Sequence, residues 1–347
     1  MKLIRSGSAD LIVTSPPYPM IDMWDDLFCR LDPVAGKALT QHDGMKAFER
    51  MHRQLDAVWN EAYRILRPGG IACINIGDAV RTLNEHFMLY SNHARILTHM
   101  LNIGFSALPQ ILWRKQTNAP NKFMGSGMMP PGAYVTLEHE HILVLRKGNK
   151  RGFYNQTEKM NRRESAFFWE ERNVWFSDIW MDLKGARQNM LEKKARSRSG
   201  AFPFELPFRL INMFSVKGDT VVDPFLGTGT TMAAAVATGR NSIGFELEKE
   251  FNDIIGSQTE DIVAVSQELV RERIRRHLEF VDQRVQANGP LKYVNEPYGF
   301  PVMTRQEVQL KLEVPESVRQ SAGNTFDAIY SENPCSAYKA PKPAVKQ

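Results

Sequence analysis

The chain of 347 residues has 43% hydrophobic and 24% charged residues, a globular composition that excludes disorder as its default state. No apolar run is long enough to span a bilayer and Met1 to Asp10 lacks the apolar core of a signal peptide, so a cytoplasmic location is expected. Cys29, Cys73 and Cys335 are far apart with no CxxC pair, which argues against a disulfide framework or a zinc site, and the net charge of +5 leans weakly toward a polyanionic partner.

Ala9 to Thr14 reads as a buried strand, because Leu11-Ile12-Val13 is a continuous apolar run bounded by Asp10 and two prolines. Pro19 to Thr40 is irregular and suits a loop or short helices. From Met45 to Leu66 apolar residues recur at helical spacing (Phe48, Met51, Leu55, Trp59, Ala62), and Arg67-Pro68-Gly69-Gly70 is expected to end that helix. A strand over Ile71 to Ile76 and a helix over Phe87 to Leu101 follow. Strands are then expected over Phe105 to Trp113 and Val135 to Leu145, separated by a Gly/Pro-rich loop from Asn118 to Gly132. Such alternation implies a mostly parallel sheet covered on both faces.

Composition changes between about Lys147 and Ser199. Basic residues (Lys147, Lys150, Arg151, Lys159, Arg162, Arg163 and Arg172, then Lys184 to Arg198) interleave with Phe153, Tyr154, Phe167, Phe168, Trp169, Trp175, Phe176 and Trp180. Cations that neutralise phosphates and rings that stack on bases or fill a module's core suit nucleic acid; a solvated charged face over an aromatic mini-core suits the same residues. Beyond it come a helix over Phe204 to Phe214, a short strand Thr220 to Val222, an Ala-rich helix Met232 to Ala237 and a strand Ser242 to Phe245. A long amphipathic helix runs from Glu248 to about Gln286, then possible strands at Leu291 to Asn295 and Val308 to Leu312, and a frayed end from Ser336.

Two turns carry the chemistry. In Thr14-Ser15-Pro16-Pro17-Tyr18 the prolines have fixed φ and no amide donors, so the chain must leave its strand in a stiff turn that presents carbonyls. The Ser15 hydroxyl, the Pro16 carbonyl and the Tyr18 ring would converge beyond the strand's carboxyl end and suit a flat, amine-bearing substrate. A proline-terminated strand with a packing tyrosine is the plainer reading of those five residues. In Asp223-Pro224-Phe225-Leu226-Gly227-Thr228-Gly229 the glycines allow close approach of a ligand to the backbone. Neither a P-loop lysine nor the third glycine of a pyrophosphate fingerprint follows, so ATP and NAD become less favoured. Asp223 suits an ammonium group and Glu246, at the next strand's end, suits ribose hydroxyls; an adenosine joined to an amino acid has both.

Together the turns resemble a known family. Phe225 to Gly229 is similar to the FxGxG motif of S-adenosylmethionine-dependent DNA amino-methyltransferases, and Thr14 to Tyr18 to their (D/N/S)PPY motif, in the order of the β class. The resemblance implies a circularly permuted, Rossmann-like class I methyltransferase fold: a mostly parallel, seven-stranded α/β sheet with helices on both faces, plus a basic and aromatic target-recognition insert. The implied division is a catalytic half over 1–147, a variable recognition region over 148–198, a cofactor half over 199–286 and an extension over 287–347. Ser15, Pro16, Pro17 and Tyr18 would be catalytic, and Asp223, Phe225, Gly227, Gly229 and Glu246 would hold S-adenosyl-L-methionine. Phe202-Pro203 resembles the end of a further cofactor motif, although its usual initial His and Pro are Arg198 and Ser199 here. The strand ending in Gly-Asp that normally precedes the SPPY strand has no counterpart in Met1 to Ser8, and Leu291 to Asn295 is the segment proposed to supply it.

The implied reaction is methylation of an exocyclic base amine in duplex DNA. With the base flipped out and stacked on Tyr18, Ser15 Oγ and the Pro16 carbonyl would accept the amino hydrogens, favouring a pyramidal nitrogen that attacks the sulfonium methyl in line. Family usage pairs Ser at the first motif position with N4-cytosine, with N6-adenine as the alternative. An inactive DNA-binding protein of the same fold and a methylase of RNA or protein amides are the other classes to separate. Duplex DNA is the expected partner; a homodimer and a cognate restriction endonuclease are partners the resemblance brings with it.

Overall fold

Strand β1 (Ala9–Thr14) is buried along its length and sits inside the central sheet of the computed structural model, which describes residues 1–115, 124–125, 127–183 and 202–338. Successive side chains of a strand point to opposite faces, and β1 shows the consequence: Ile12 faces one apolar cluster while Leu11 and Val13 face another. Short helices α1 (Asp25–Leu31) and α2 (Pro33–Thr40) precede α3 (Gly44–Ile65), whose start is capped by the Asp43 carboxylate accepting from the Lys46 amide. Ala47, Met51, Leu55, Trp59 and Ala62 form the buried stripe of α3 against the Ile12 face. Each large apolar side chain fully buried there contributes about 2 kcal/mol.

The chain passes from α3 straight into β2 (Leu66–Ile76), so Arg67 to Gly70, expected as a turn, lie within the strand at a shift in its register with β1. Next comes a hairpin, β3 (Ala79–Leu83) and β4 (His86–Tyr90), where a helix was expected from Phe87. Asn84 and Glu85, with φ of 47° and 66°, close it as a two-residue turn, and the helix α4 (Asn92–Asn102) starts only after it. The single strand expected over Phe105 to Trp113 is β5 (Phe105–Ala107) and β6 (Ile111–Arg114), parted around Pro109, which has no amide to donate. A small ladder joins β7 (Met124–Gly125) to β8 (Ala133–Tyr134), and β9 (His139–Lys147) begins four residues later than expected.

Helices α5 (Gln156–Glu164) and α6 (Trp169–Trp175) and strand β10 (Ile179–Trp180) follow. After them come α7 (Glu205–Phe214), β11 (Thr220–Asp223), α8 (Thr230–Ala237), β12 (Asn241–Gly244) and the 38-residue α9 (Phe251–Asn288). The main path of the sheet has seven strands in the order β10-β6-β9-β2-β1-β11-β12, with β5 as an eighth strand beside β9. β2, β1, β11 and β12 are mutually parallel, as are β6 and β10; β9 alone runs against its neighbours. Helices α7 and α8 cover the Leu11 face, opposite α3.

Beyond α9, β13 (Tyr293–Val294) pairs with β14 (Pro301–Val302) in a separate two-stranded ladder. It does not join the sheet, and β12 ends the strand order, so Leu291 to Asn295 does not supply the strand assigned to it. Val308 to Leu312 is not a strand either; the hairpin β15 (Pro315–Ala322) and β16 (Thr325–Tyr330) follows instead. Tyr298, Phe300, Val302, Leu310 and Leu312 form a third apolar cluster with Phe168 and the Val270 and Ile274 side of α9. Local alternation is short and irregular here because burial comes from this distant packing.

Candidate active site

β1 and β11 are adjacent parallel strands, and their onward connections run to opposite sides of the sheet, β1 toward β2 and β11 toward β12. A crevice opens at such a switch point, beyond the carboxyl ends of the strands. Ser15 to Tyr18 leave β1 and Asp223 to Gly229 leave β11 at this edge, so two turns far apart in sequence become neighbours.

A hydrogen-bonded clamp fastens the two turns. The Thr14 hydroxyl donates to Asp223 Oδ1 at 2.6 Å, the Thr231 hydroxyl to Oδ2 at 2.7 Å, and the Phe225 amide to Oδ1 at 3.0 Å. Burial pushes the Asp223 carboxyl up to about 6, against the pull of these donors. Three acceptor positions of this carboxylate are thus used within the protein, and a cationic ligand would feel an anion already fixed in place. Gly229, at the start of α8, has φ of 88°, a conformation that a side chain would strain. Glu246 binds the turn from the other side: it accepts the Gly227 amide at 2.7 Å and the Leu247 and Glu248 amides at 2.7 and 2.8 Å. The Phe225 ring packs edge-on against Trp59, 6.0 Å between centroids. Phe202 is buried in the apolar cluster that includes Leu11, Val13 and Val221, and the Pro203 carbonyl accepts the Leu206 amide at the start of α7. Arg198 and Ser199 lie outside the described residues.

On the proline-turn side, Ser15 Oγ is 3.1 Å from Tyr18 Oη. Tyr18 Oη donates to Glu140 Oε2 at 3.0 Å, and Asn75 Nδ2 donates to both, at 3.0 Å to the phenol and 2.7 Å to the carboxylate. Lys115 Nζ forms an ion pair with the other Glu140 oxygen. Burial and the Glu140 charge push the Tyr18 phenol well above its ordinary value, so it stays a hydrogen donor. The Tyr18 ring lies over Gly77, where a Cβ would meet it at 2.9 Å. Asn92 ties the turn to the end of β2: its Nδ2 donates to the Pro19 carbonyl at 3.1 Å and the Gly77 carbonyl at 3.0 Å, and its Oδ1 meets His52 Nε2 at 2.9 Å.

The motifs did not point to Thr231, Asn75, Asn92, Lys115 or Glu140. Asn75 left a signal, being a polar residue inside the buried apolar run Ile71 to Ile76, whereas Glu140 sits between two histidines at the polar start of β9. Beside them Asp78, His93 and His141 bring possible ligand atoms within 4.8 Å of one another. His93 Nδ1 is engaged by Asp78 at 2.8 Å, and the two imidazoles stack face to face, 3.7 Å apart at 9°. Their in-plane lone pairs therefore do not converge on one point. Burial and then His93 lower the His141 imidazole to about 4.

In the basic segment the described rings divide between core and surface, Trp169 and Phe176 being 37% and 46% exposed. Phe168, Trp175 and Trp180 are buried, and Arg151 is paired with Asp219 at 2.5 Å, whereas Tyr154 is 82% exposed. Lys147 Nζ donates to the Tyr63 and Leu66 carbonyls. The cations from Lys184 to Arg198 lie outside the described residues.

A mostly parallel sheet with a proline turn and a glycine turn facing one crevice is the arrangement of the DNA amino-methyltransferase class, and the family model for DNA methylase, covering both N6 and N4 types, matches residues 9–257. The chain belongs to that family. It is 49% identical over 333 residues to Type II methyltransferase M.MthZI of Methanothermobacter thermautotrophicus, covering 96% of this chain and 92% of that protein. Type II methyltransferase M.MjaI of Methanocaldococcus jannaschii is 48% identical over 266 residues, 74% of this chain and 86% of its own. Among solved structures, a protein from Thermus thermophilus described as a putative DNA modification methylase, complexed with S-adenosyl-L-methionine, superposes with a TM-score of 0.56 at 30% identity, over 76% of this chain and 90% of that one. Among the described residues no helix is long and apolar enough to cross a membrane.

Proposed function

We propose that this DNA methylase transfers a methyl group from S-adenosyl-L-methionine to the exocyclic N4 of a flipped cytosine in duplex DNA. The observation that carries the reading is the Ser15 hydroxyl on the β1 turn, beside a glycine turn held by Asp223 and Glu246. When bound, the cofactor supplies an electrophilic methyl on a sulfonium. Asp223 contributes a buried anion for the ammonium of its methionine portion, and Glu246 carries acceptor oxygens for its ribose hydroxyls. Gly227 and Gly229 leave room for it against the backbone.

An exocyclic base amine is a poor nucleophile because its lone pair is delocalised into the ring. Ser15 Oγ and the Pro16 carbonyl accept its hydrogens and favour the pyramidal nitrogen, while the Tyr18 ring offers a face for stacking. Orientation supplies much of the rate, since the acceptor nitrogen is aligned on the methyl before reaction. A serine at the first motif position, where family members that act on adenine more often have Asp or Asn, favours cytosine. The region over 148–198 is proposed to contribute to sequence recognition and the resemblance supports a type II modification role, with a homodimer and a cognate endonuclease as partners to test.

The test is transfer of labelled methyl from S-adenosyl-L-methionine to duplex DNA, RNA and protein, followed by digestion of the DNA to nucleosides and mass identification of the product. N4-methylcytosine is the expected result. N6-methyladenine alone refutes the base assignment; label in RNA or protein only refutes the substrate class, and DNA binding without transfer refutes the enzymatic reading.

A further inference from the structure

Ser15 is a weaker acceptor than the carboxylate that many family members carry at this position, and the hydrogen bonds behind it show how that weakness is offset. Glu140, ion-paired with Lys115 and receiving Asn75 Nδ2, offers only acceptor oxygens to the Tyr18 phenol. The single Tyr18 hydroxyl hydrogen must therefore point at Glu140 Oε2, 3.0 Å away. With that hydrogen spent, Tyr18 Oη faces Ser15 and Asn75 with lone pairs only. The contact between Ser15 Oγ and Tyr18 Oη can then have one direction, from the serine to the tyrosine. Ser15 spends its hydrogen on Tyr18, and the lone pairs of its oxygen are left for a substrate amine. Chains of hydrogen bonds ending on an anion polarise each member, so the Glu140 charge also strengthens Ser15 as an acceptor.

We infer that Glu140 is a positioning residue for methyl transfer: acting through Tyr18, it fixes the direction of the Ser15–Tyr18–Glu140 chain and makes Ser15 an acceptor toward the amine. The inference rests on the reading of Ser15 as the amine's acceptor given above. Nothing in the SPPY turn itself dictates that direction, because a serine whose hydrogen pointed outward would offer a donor to the amine. Asn75 and Lys115 support the carboxylate from either side, and Gly77 leaves space for the ring that carries the relay.

The experiment is single-turnover methyl transfer to duplex DNA by the full chain, wild type against Glu140→Gln, Tyr18→Phe and the double variant, with cofactor and DNA dissociation constants measured for each. Glutamine keeps the shape but can donate to Tyr18 and so reverse the chain. The expected outcome is a rate loss of about 10- to 100-fold for either single variant, less than the about 100- to 1,000-fold lost when a preorganised group that touches the reacting atoms is removed. Dissociation constants should stay within about twofold, and the double variant should be no slower than the slower single one. In a Ser15→Asp background, which puts a carboxylate beside the amine, Glu140→Gln should cost about twofold or less. Multiplying losses in the double variant, or a loss explained by weaker DNA or cofactor binding, would overturn the inference. Should Glu140→Gln fail to fold, Tyr18→Phe decides by the same comparison, made once with the native Ser15 and once in the Ser15→Asp background. Wild-type protein that transfers no methyl to DNA removes the underlying reading and this inference with it, whereas transfer with independent variant effects removes the inference alone.

Discussion

The Asp223 clamp makes the glycine-turn side of the site sensitive to pH, and its consequence for stability can be worked out. Burial raises this carboxyl from 3.8 to about 6, so the folded state holds the proton more tightly than the unfolded chain. A group shifted in this direction contributes stability that is complete below its ordinary value and is lost as the pH rises through about 6. At about 1.36 kcal/mol per pH unit the whole effect is about 3 kcal/mol, with roughly half falling between pH 5 and pH 7.5. Asp223→Asn removes the ionisation and can keep the hydrogen bonds. Its Oδ1 would still accept from the Thr14 hydroxyl and the Phe225 amide; its amide nitrogen would face Thr231 Oγ1, whose hydrogen has the Val13 carbonyl at 3.4 Å as another acceptor. The assay is urea unfolding of both proteins, without cofactor, from pH 5 to pH 7.5. The variant should gain on the wild type by about 1.5 kcal/mol over that interval. It should be the more stable protein at the upper end, and should bind S-adenosyl-L-methionine at least about tenfold more weakly there, the cost of one lost charge-assisted contact. A stability difference that does not change with pH would refute the buried-anion argument.

Three further outcomes follow from the geometry. Gly77→Ala should lower methyl transfer by at least about tenfold with little loss of fold stability, because its Cβ would sit 2.9 Å from the Tyr18 ring and move it; transfer rate and thermal midpoint together check this. Asn92→Ala should cost about 2–4 kcal/mol in urea unfolding, since the buried Pro19 and Gly77 carbonyls and His52 all lose a partner. Glu246→Gln should weaken cofactor binding by calorimetry while leaving DNA binding intact, because glutamine has one acceptor oxygen for the Gly227, Leu247 and Glu248 amides that now share two.

The central strands were legible because their apolar runs are local and fully buried: Ala9 to Thr14 is β1 at both ends, and Met45 to Leu66 differs from α3 by one residue at each end. Misreadings arose where packing or turn chemistry outweighed periodicity. Phe87 to Tyr90 fits a helical pattern, yet Asn84 and Glu85 take left-handed conformations that close a hairpin, and the helix waits for Asn92. Pro109 parts β5 from β6, a break that the apolar flanks conceal. After α9, the segment near Tyr293 folds onto α9 and Phe168, a long-range contact with no local signature.

The site divides in the same way. Residues within the two motifs could be named because each motif is one continuous turn, whereas the groups that orient them come from other strands and are set by sheet order. Glu140 lies 122 positions from Tyr18 and reaches it because β9 returns antiparallel between β2 and β6, with Glu140 opposite Trp113 and His141 opposite Ile76. Asn75 reaches the same phenol from the neighbouring strand. A carboxylate at position 15 would carry its charge directly against the amine. Here the turn carries a neutral serine, and the anion stands two hydroxyls further back on a strand that no turn motif includes. If that arrangement sets the direction of the hydrogen bonds, the SPPY turn alone is an incomplete description of the acceptor: Ser15 and Glu140 must be exchanged together before the chemistry at the amine can be compared with that of a DPPY enzyme.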